Sequence, residues 1–169
     1  MALYGEARDI SLFRHINREL MGNIISQECA FYKYRLAETK VNMYGEASEG
    51  RWFNGPVLLN ALITVGNKTD GTSDLGVDFN WDMKFAFLKD DLVDANLVIE
   101  IGDVILYQES YFEVDLSFDT QYFVGKDPQY PYEQNPLNPG LGNFGYNVSL
   151  IVNAHNIPAD RVNIIKQRL

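Results

Sequence analysis

Period-two alternation predicts a mainly β chain, a β-barrel or sandwich behind one N-terminal α-helix in an α+β arrangement. Two further observations agree. Aromatic side chains fill 13% of the 169 positions, with 10 Tyr and 10 Phe, and such rings pack well on a pleated surface. Helical spacing is confined to the chain up to about residue 30. The length fits one domain over 1–169, comprising a helix and loop over 1–50, a β-domain over 51–157 and a tail over 158–169.

From about Ser11, apolar Leu12, Phe13, Ile16, Leu20, Ile24 and Phe31 recur at helical spacing, with Arg14, Arg18 and Glu19 between them. Asp9 or Ser11 is the expected cap. Gly22 and the cluster Phe31-Tyr32-Lys33-Tyr34 interrupt the pattern, and Tyr44 to Gly50 reads as a loop. Val57, Leu59, Ala61, Ile63 and Val65 alternate after Pro56 while Leu58 and Leu62 fill the other face, predicting a strand buried on both sides. Residues 67–78, rich in Gly, Asp, Ser and Thr, read as a loop.

The clearest alternation follows. Phe79, Trp81, Met83, Phe85 and Phe87 share one face, with Asn80, Asp82, Lys84 and Ala86 on the other, which predicts a half-buried strand. Leu88 to Leu92 reads as a turn or short helix. Residues 102–118 read as a hairpin turning at Gln108-Glu109-Ser110, with Phe112, Val114, Leu116 and Phe118 alternating against Glu113, Asp115 and Ser117. Gly125 to Gly145 carries Pro128, Pro131, Pro136 and Pro139, and so long an irregular stretch is expected to be a functional or intersubunit loop. A last strand is predicted through Phe144, Tyr146, Val148, Leu150 and Val152. The tail after Pro158 either extends to a neighbour or is mobile.

The net charge of −9 is unevenly placed. Residues 1–51 balance at 7 basic and 7 acidic side chains, residues 52–133 hold 4 basic and 15 acidic, and residues 134–169 hold 3 basic and 1 acidic. An acidic centre argues against binding the nucleic-acid backbone, since that affinity comes from cations. The N-terminal residues lack the basic and apolar regions of a signal peptide, and no run approaches the ~20 apolar residues of a membrane helix, so synthesis in a cytoplasm with no membrane partner is expected. The single Cys29 fits a reducing compartment. Asn67-Lys68-Thr69 and Asn147-Val148-Ser149 then read as chance matches to the glycosylation pattern.

Candidate chemistry is sparse. Gly140 to Gly145 spells G-x-G-x-x-G, but it leaves a proline-rich loop and enters a strand, whereas a dinucleotide site must leave a strand and open a helix. Asp70, Asp74, Asp78 and Asp82 recur every fourth residue without calcium-loop spacing, which reads as a solvated acidic loop, the sharper alternative being a cation site shared across subunits. Glu113 and Asp115 would share an outward strand face, and without a cleft they read as solvated carboxylates. His15 and His155 accompany no serine elbow or zinc pattern, and Cys29 reads as a small buried group. Tyr-Gly-Glu-Ala recurs at residues 4–7 and 44–47 with no wider self-similarity. Catalytic, cofactor-binding and metal residues are therefore all read as none, and no enzyme is expected.

Four stretches carry a resemblance. They are Phe31-Tyr32-Lys33-Tyr34 with Thr39, Asn42 and Tyr44-Gly45-Glu46; Gly102-Asp103-Val104-Ile105 with Tyr111-Phe112-Glu113-Val114 and Gln121; Gly125-Lys126-Asp127-Pro128; and Asn147-Val148-Ser149 with Ala154-His155. In this order, over residues ~30 to ~155, the chain resembles the neck (head-to-tail connector) structural proteins of contractile-tailed bacteriophages. The resemblance implies a subunit of a virion ring, six- or twelvefold, between the portal or adaptor and the tail, at the neck/tail junction. It implies further that genomic DNA passes through the ring without sequence-specific binding. A tail-terminator or other tail ring is the alternative in the same particle. A stand-alone β-sandwich module for carbohydrate or peptide is a further one, with Tyr130 to Tyr132 its only aromatic platform.

Overall fold

The computed structural model describes residues 7–35, 39, 43, 51–73, 76–119, 148–159, 162 and 164. Helix α1 (Ala7–Glu19) runs into a π-helical turn over Leu20–Ile25, where Ser26 stops it in the left-handed region at φ 43° and donates its N–H to Met21 O at 2.9 Å. Strand β1 (Glu28–Tyr32) begins two residues later. The helix thus ends about five residues before the expected point, because Cys29 to Tyr32 find better partners in a sheet. Asp9 and Ser11 lie inside α1, beyond its first residue.

Strands β2 (Val57–Ser73), β3 (Gly76–Leu88), β4 (Val104–Tyr107), β5 (Ser110–Asp119) and β6 (Ser149–Ile157) join β1 in a closed antiparallel barrel of order β1-β2-β3-β6-β5-β4. Helix α2 (Lys89–Asp94) follows β3, where the short turn or helix was predicted. Closure through Phe31↔Ile105 removes the free edges expected of an open sheet. Among the described residues, only the far part of the β2–β3 hairpin, from Lys68 to Trp81, pairs solely with itself.

In residues 67–73 and 76–78, that hairpin replaces the predicted loop over 67–78. Thr69 faces Asn80 and Thr72 faces Val77, so cross-strand pairing overrides a loop-like composition. The register slips between Val65 and Lys68, at Gly66. A Cβ at Gly66 would lie 2.5 Å from the Asp82 carbonyl oxygen, so only glycine fits this close approach.

The alternation of β3 is realised in its described side chains: Met83, Phe85 and Phe87 are buried, while Asp82 and Lys84 are exposed. Phe85 is wholly enclosed, edge-on to Phe112 at 5.8 Å and Tyr107 at 6.3 Å and stacked on Phe87 at 6.3 Å. Cys29, Leu59, Ala61, Ile105, Val114, Val152 and Ala154 complete the barrel interior. Strand β2 departs from its expectation: Leu59 and Ala61 face the core, but Leu58 and Leu62 face out, because the outer wall of a closed barrel needs no second layer.

The hairpin turn is tighter than predicted. Tyr107 pairs with Ser110, leaving a two-residue turn in which Gln108 and Glu109 take φ of 46° and 65°. Two left-handed residues match the twist of paired strands. Further along β5 the register slips between Val114 and Leu116, so Asp115 is the extra residue of a bulge. Phe112 and Val114 point inward as expected, but beyond the bulge Leu116 and Phe118 point out and Ser117 faces the Val152 side.

The closing seam is buried on both faces. Outside it, Ala30, Tyr32, Val104 and Tyr111 lie under Ile157, Val162, Phe53 and Ile164. Val162 also bridges to Arg51, so Val162 and Ile164 of the tail lie on their own barrel, while residues 165–169 lie outside the described residues. The predicted last strand is observed through Leu150 and Val152 and continues to Ile157. Its start at Phe144 and Tyr146, and the Gly125 to Gly145 loop with its glycine pattern, lie outside the described residues.

Candidate interaction surface

Helix α1 is held by its polar side. Arg14 pairs bidentately with Asp90, while Arg18 contacts Asp94 at 2.5 Å and Asp91 at 3.3 Å. Arg14 and Arg18 are one helical turn apart, as are Asp90 and Asp94, so α1 and α2 lie side by side in the same direction. Three carboxylates within six residues of α2 would repel, and the two guanidinium groups offset this. Burial raises the Asp91 carboxyl, the charge of Arg18 opposes that, and Asp90 and Asp94 add to the rise. The hydrogen bond to Asp94, reinforced by Asp91, raises Arg18 above its ordinary value.

With its arginines turned toward α2, α1 presents its apolar side to solvent. Leu12 is 57% exposed, Ile16 50%, Leu20 40% and Ile24 75%. This inverts the arrangement of an ordinary surface helix, whose apolar stripe faces the core. Beside it an open cleft of about 550 Å³ is lined by His15, Glu19, Asn23, Leu58 and Asn60.

A second apolar surface crosses the barrel wall. Cross-strand pairing sets Leu62 on β2, Ala86 on β3, Ile151 on β6 and Phe118 on β5 in one outward row. Leu62 is 46% exposed, Phe118 39%, and Leu116 beside them 50%. The equivalent face at the closing seam is covered by the tail, while this one is not so covered among the described residues.

The loop before β4 is fastened from inside. Asp103, 1% exposed, accepts hydrogen bonds from the Tyr34 N–H at 2.9 Å, the Glu100 N–H at 2.7 Å and Lys33 Nζ at 3.0 Å. Lys33 also donates to Glu100 and the Val98 carbonyl, both at 2.8 Å. Burial lowers Lys33, but its hydrogen bonds to Glu100 and Asp103 outweigh that and leave it raised; the same bond lowers Glu100.

The other singled-out residues are dispersed. Asp70 faces Phe79 and Asp78 faces Gly71 across the β2–β3 hairpin, so they are not cross-strand partners, and Asp74 lies outside the described residues. Asp82 is exposed on β3. The bulge separates Glu113, paired with Arg51, from Asp115, which meets His155 Nδ1 at 2.7 Å. His15 lies 3.4 Å from Glu19 on α1. Cys29 is buried, donates weakly to Leu59 O at 3.4 Å, and has its thiol pushed up to about 12 by desolvation. Among the described residues no three carboxylate, imidazole or thiol groups converge as a metal site requires. No described helix is long and apolar enough to cross a membrane.

Reading the sequence alone missed the Arg14–Arg18 and Asp90–Asp94 clasp, although the matched four-residue spacing of opposite charges was its visible signal. Comparison with known protein families and with curated proteins yields no match to this chain.

Proposed function

We propose that this chain is a structural subunit of a phage neck ring, joining the portal end of the head to a contractile tail and extending the DNA channel. The observation that carries the reading is the outward apolar stripe of α1, an exposed patch of the kind that marks a contact with another surface. The sequence resemblance to neck proteins supplies the setting. The acidic balance of residues 52–133 supports passage of DNA without adhesion, since like charge keeps a duplex off a wall. A repeated heterologous contact closes into a ring when the rotation from one copy to the next closes around an axis. Such a ring has the portal or adaptor and the tail-terminator or other neck proteins as its neighbours.

The test is reconstruction of the particle together with mass measurement of the purified protein. A closed ring around the DNA path is the expected result. A single copy in the particle, or an assembly without closed symmetry, refutes the reading.

A further inference from the structure

We infer that the α1 stripe of one copy docks across the Leu62–Phe118 row on the barrel wall of the next copy. This deepens the ring reading and rests on it for the repetition of the contact around an axis. Three observations select a second copy as the occupant.

The first is area. At the exposures given above, the stripe of Leu12, Ile16, Leu20 and Ile24 leaves on the order of 400 Å² of apolar surface in water, the size of patch that marks interaction sites. The wall patch of Leu62, Ile151, Leu116 and Phe118 leaves on the order of 300 Å². Joined, they bury on the order of 700 Å² of apolar surface, the apolar centre around which a standard interface of about 1,600 Å² adds a polar rim. A symmetric helix-to-helix dimer would hide the stripe and leave the wall wet, whereas a head-to-tail contact hides both.

The second is dimension. From Leu12 to Ile24 the stripe spans ~18 Å at 1.5 Å per residue. From Leu62 to Phe118 the row crosses three strand spacings, ~14 Å. The two lengths match within one side chain.

The third is charge. Glu19 flanks the stripe and exposed Lys84 borders the wall row, so one pair of opposite charges can meet at the rim of the contact. The arginines of α1 are already engaged with α2, so the helix brings no bare cation to the contact.

The experiment compares the full-length protein with Ile16→Glu on the helix and Leu116→Glu on the wall, by sedimentation velocity and native mass spectrometry. The wild-type chain should run as a multi-subunit species and each variant as a monomer. An equimolar mixture of the two variants should form a complex of two chains and no more. The intact wall of the helix variant accepts the intact helix of the wall variant, after which neither can grow. That rescue also demonstrates that both variants are folded.

A monomeric wild type, an unchanged assembly in Leu116→Glu, or a mixture that stays monomeric overturns the inference. Assembly unaffected by either substitution would mean that residues of the same chain cover these surfaces. The two readings separate cleanly. A closed ring insensitive to Leu116→Glu sinks this contact and spares the ring, while open chains disrupted by Leu116→Glu keep the contact and sink the ring.

Discussion

Replacing Phe85 with Ala tests the barrel core at its most enclosed point. Phe85 is 0% exposed, and three rings lie within 6.3 Å of its centroid. Removing it leaves a cavity between strands that hydrogen bonding holds apart, so the site collapses little, and a loss of about 3 to 5 kcal/mol follows. Edge-to-face contacts with Phe112 and Tyr107 push the value to the upper end, because each such pair adds about 0.5–1.5 kcal/mol. Domains of this kind hold about 5–15 kcal/mol in all, so the variant should keep its fold with little to spare. The assay is urea unfolding followed by tryptophan fluorescence at fixed protein concentration. With a slope near 2 kcal/mol per molar, the midpoint should fall by roughly 2 M while the slope stays unchanged. Lys84→Ala, one residue away on the outward face, should shift stability by less than about 0.5 kcal/mol. A Phe85→Ala loss below about 1 kcal/mol, or a larger loss in Lys84→Ala, would refute the register, since a one-residue slip exchanges the two faces.

Three further outcomes follow from the same packing. Lys33→Met should cost about 3 to 5 kcal/mol, measured by urea unfolding, because it strands the buried Asp103 carboxylate without its cation. Gly66→Ala should cost about 1–3 kcal/mol, measured by thermal melting, because its Cβ meets the Asp82 carbonyl oxygen at 2.5 Å; a neutral result would mean the bulge can open freely. Alkali should unfold the protein partly through Cys29, whose folded thiol, at about 12, sits above its unfolded value near 9.0. A raised value gives stability that is complete below pH 9.0 and is lost toward pH 12, about 4 kcal/mol across the window. Tyr32 and Tyr111 are also raised by burial and act in the same direction, so Cys29→Ala should flatten the alkaline slope without abolishing it. An identical slope in the variant would count against the buried thiol.

The assembly state bears on the proposed role, while these measurements bear only on the barrel. The distinction matters because the surface features, not the core, carry the proposed role. The barrel would be as stable with a polar α1 stripe, yet assembly through that stripe would fail.

By itself the sequence determined the elements whose two faces differ in polarity. The alternation of β3 specified which side enters the core, and the Tyr107-to-Ser110 hairpin was visible in its flanking apolar runs. Such patterns are local, because a strand repeats every two residues whatever its partners are. Tertiary structure decided what depends on partners distant in the chain. Residues 67–73 and 76–78 became strand only because each half had the other to pair with. The bulge at Asp115 sent Leu116 and Phe118 outward, reversing a face that alternation alone assigns to the core. The amphipathic pattern of α1 predicted a helix but not which side faces the barrel. Charges 76 residues away on α2 claimed Arg14 and Arg18, and that choice turned the apolar stripe toward water. A period records only that two faces differ; which one is buried is settled by the surfaces the rest of the chain brings to it.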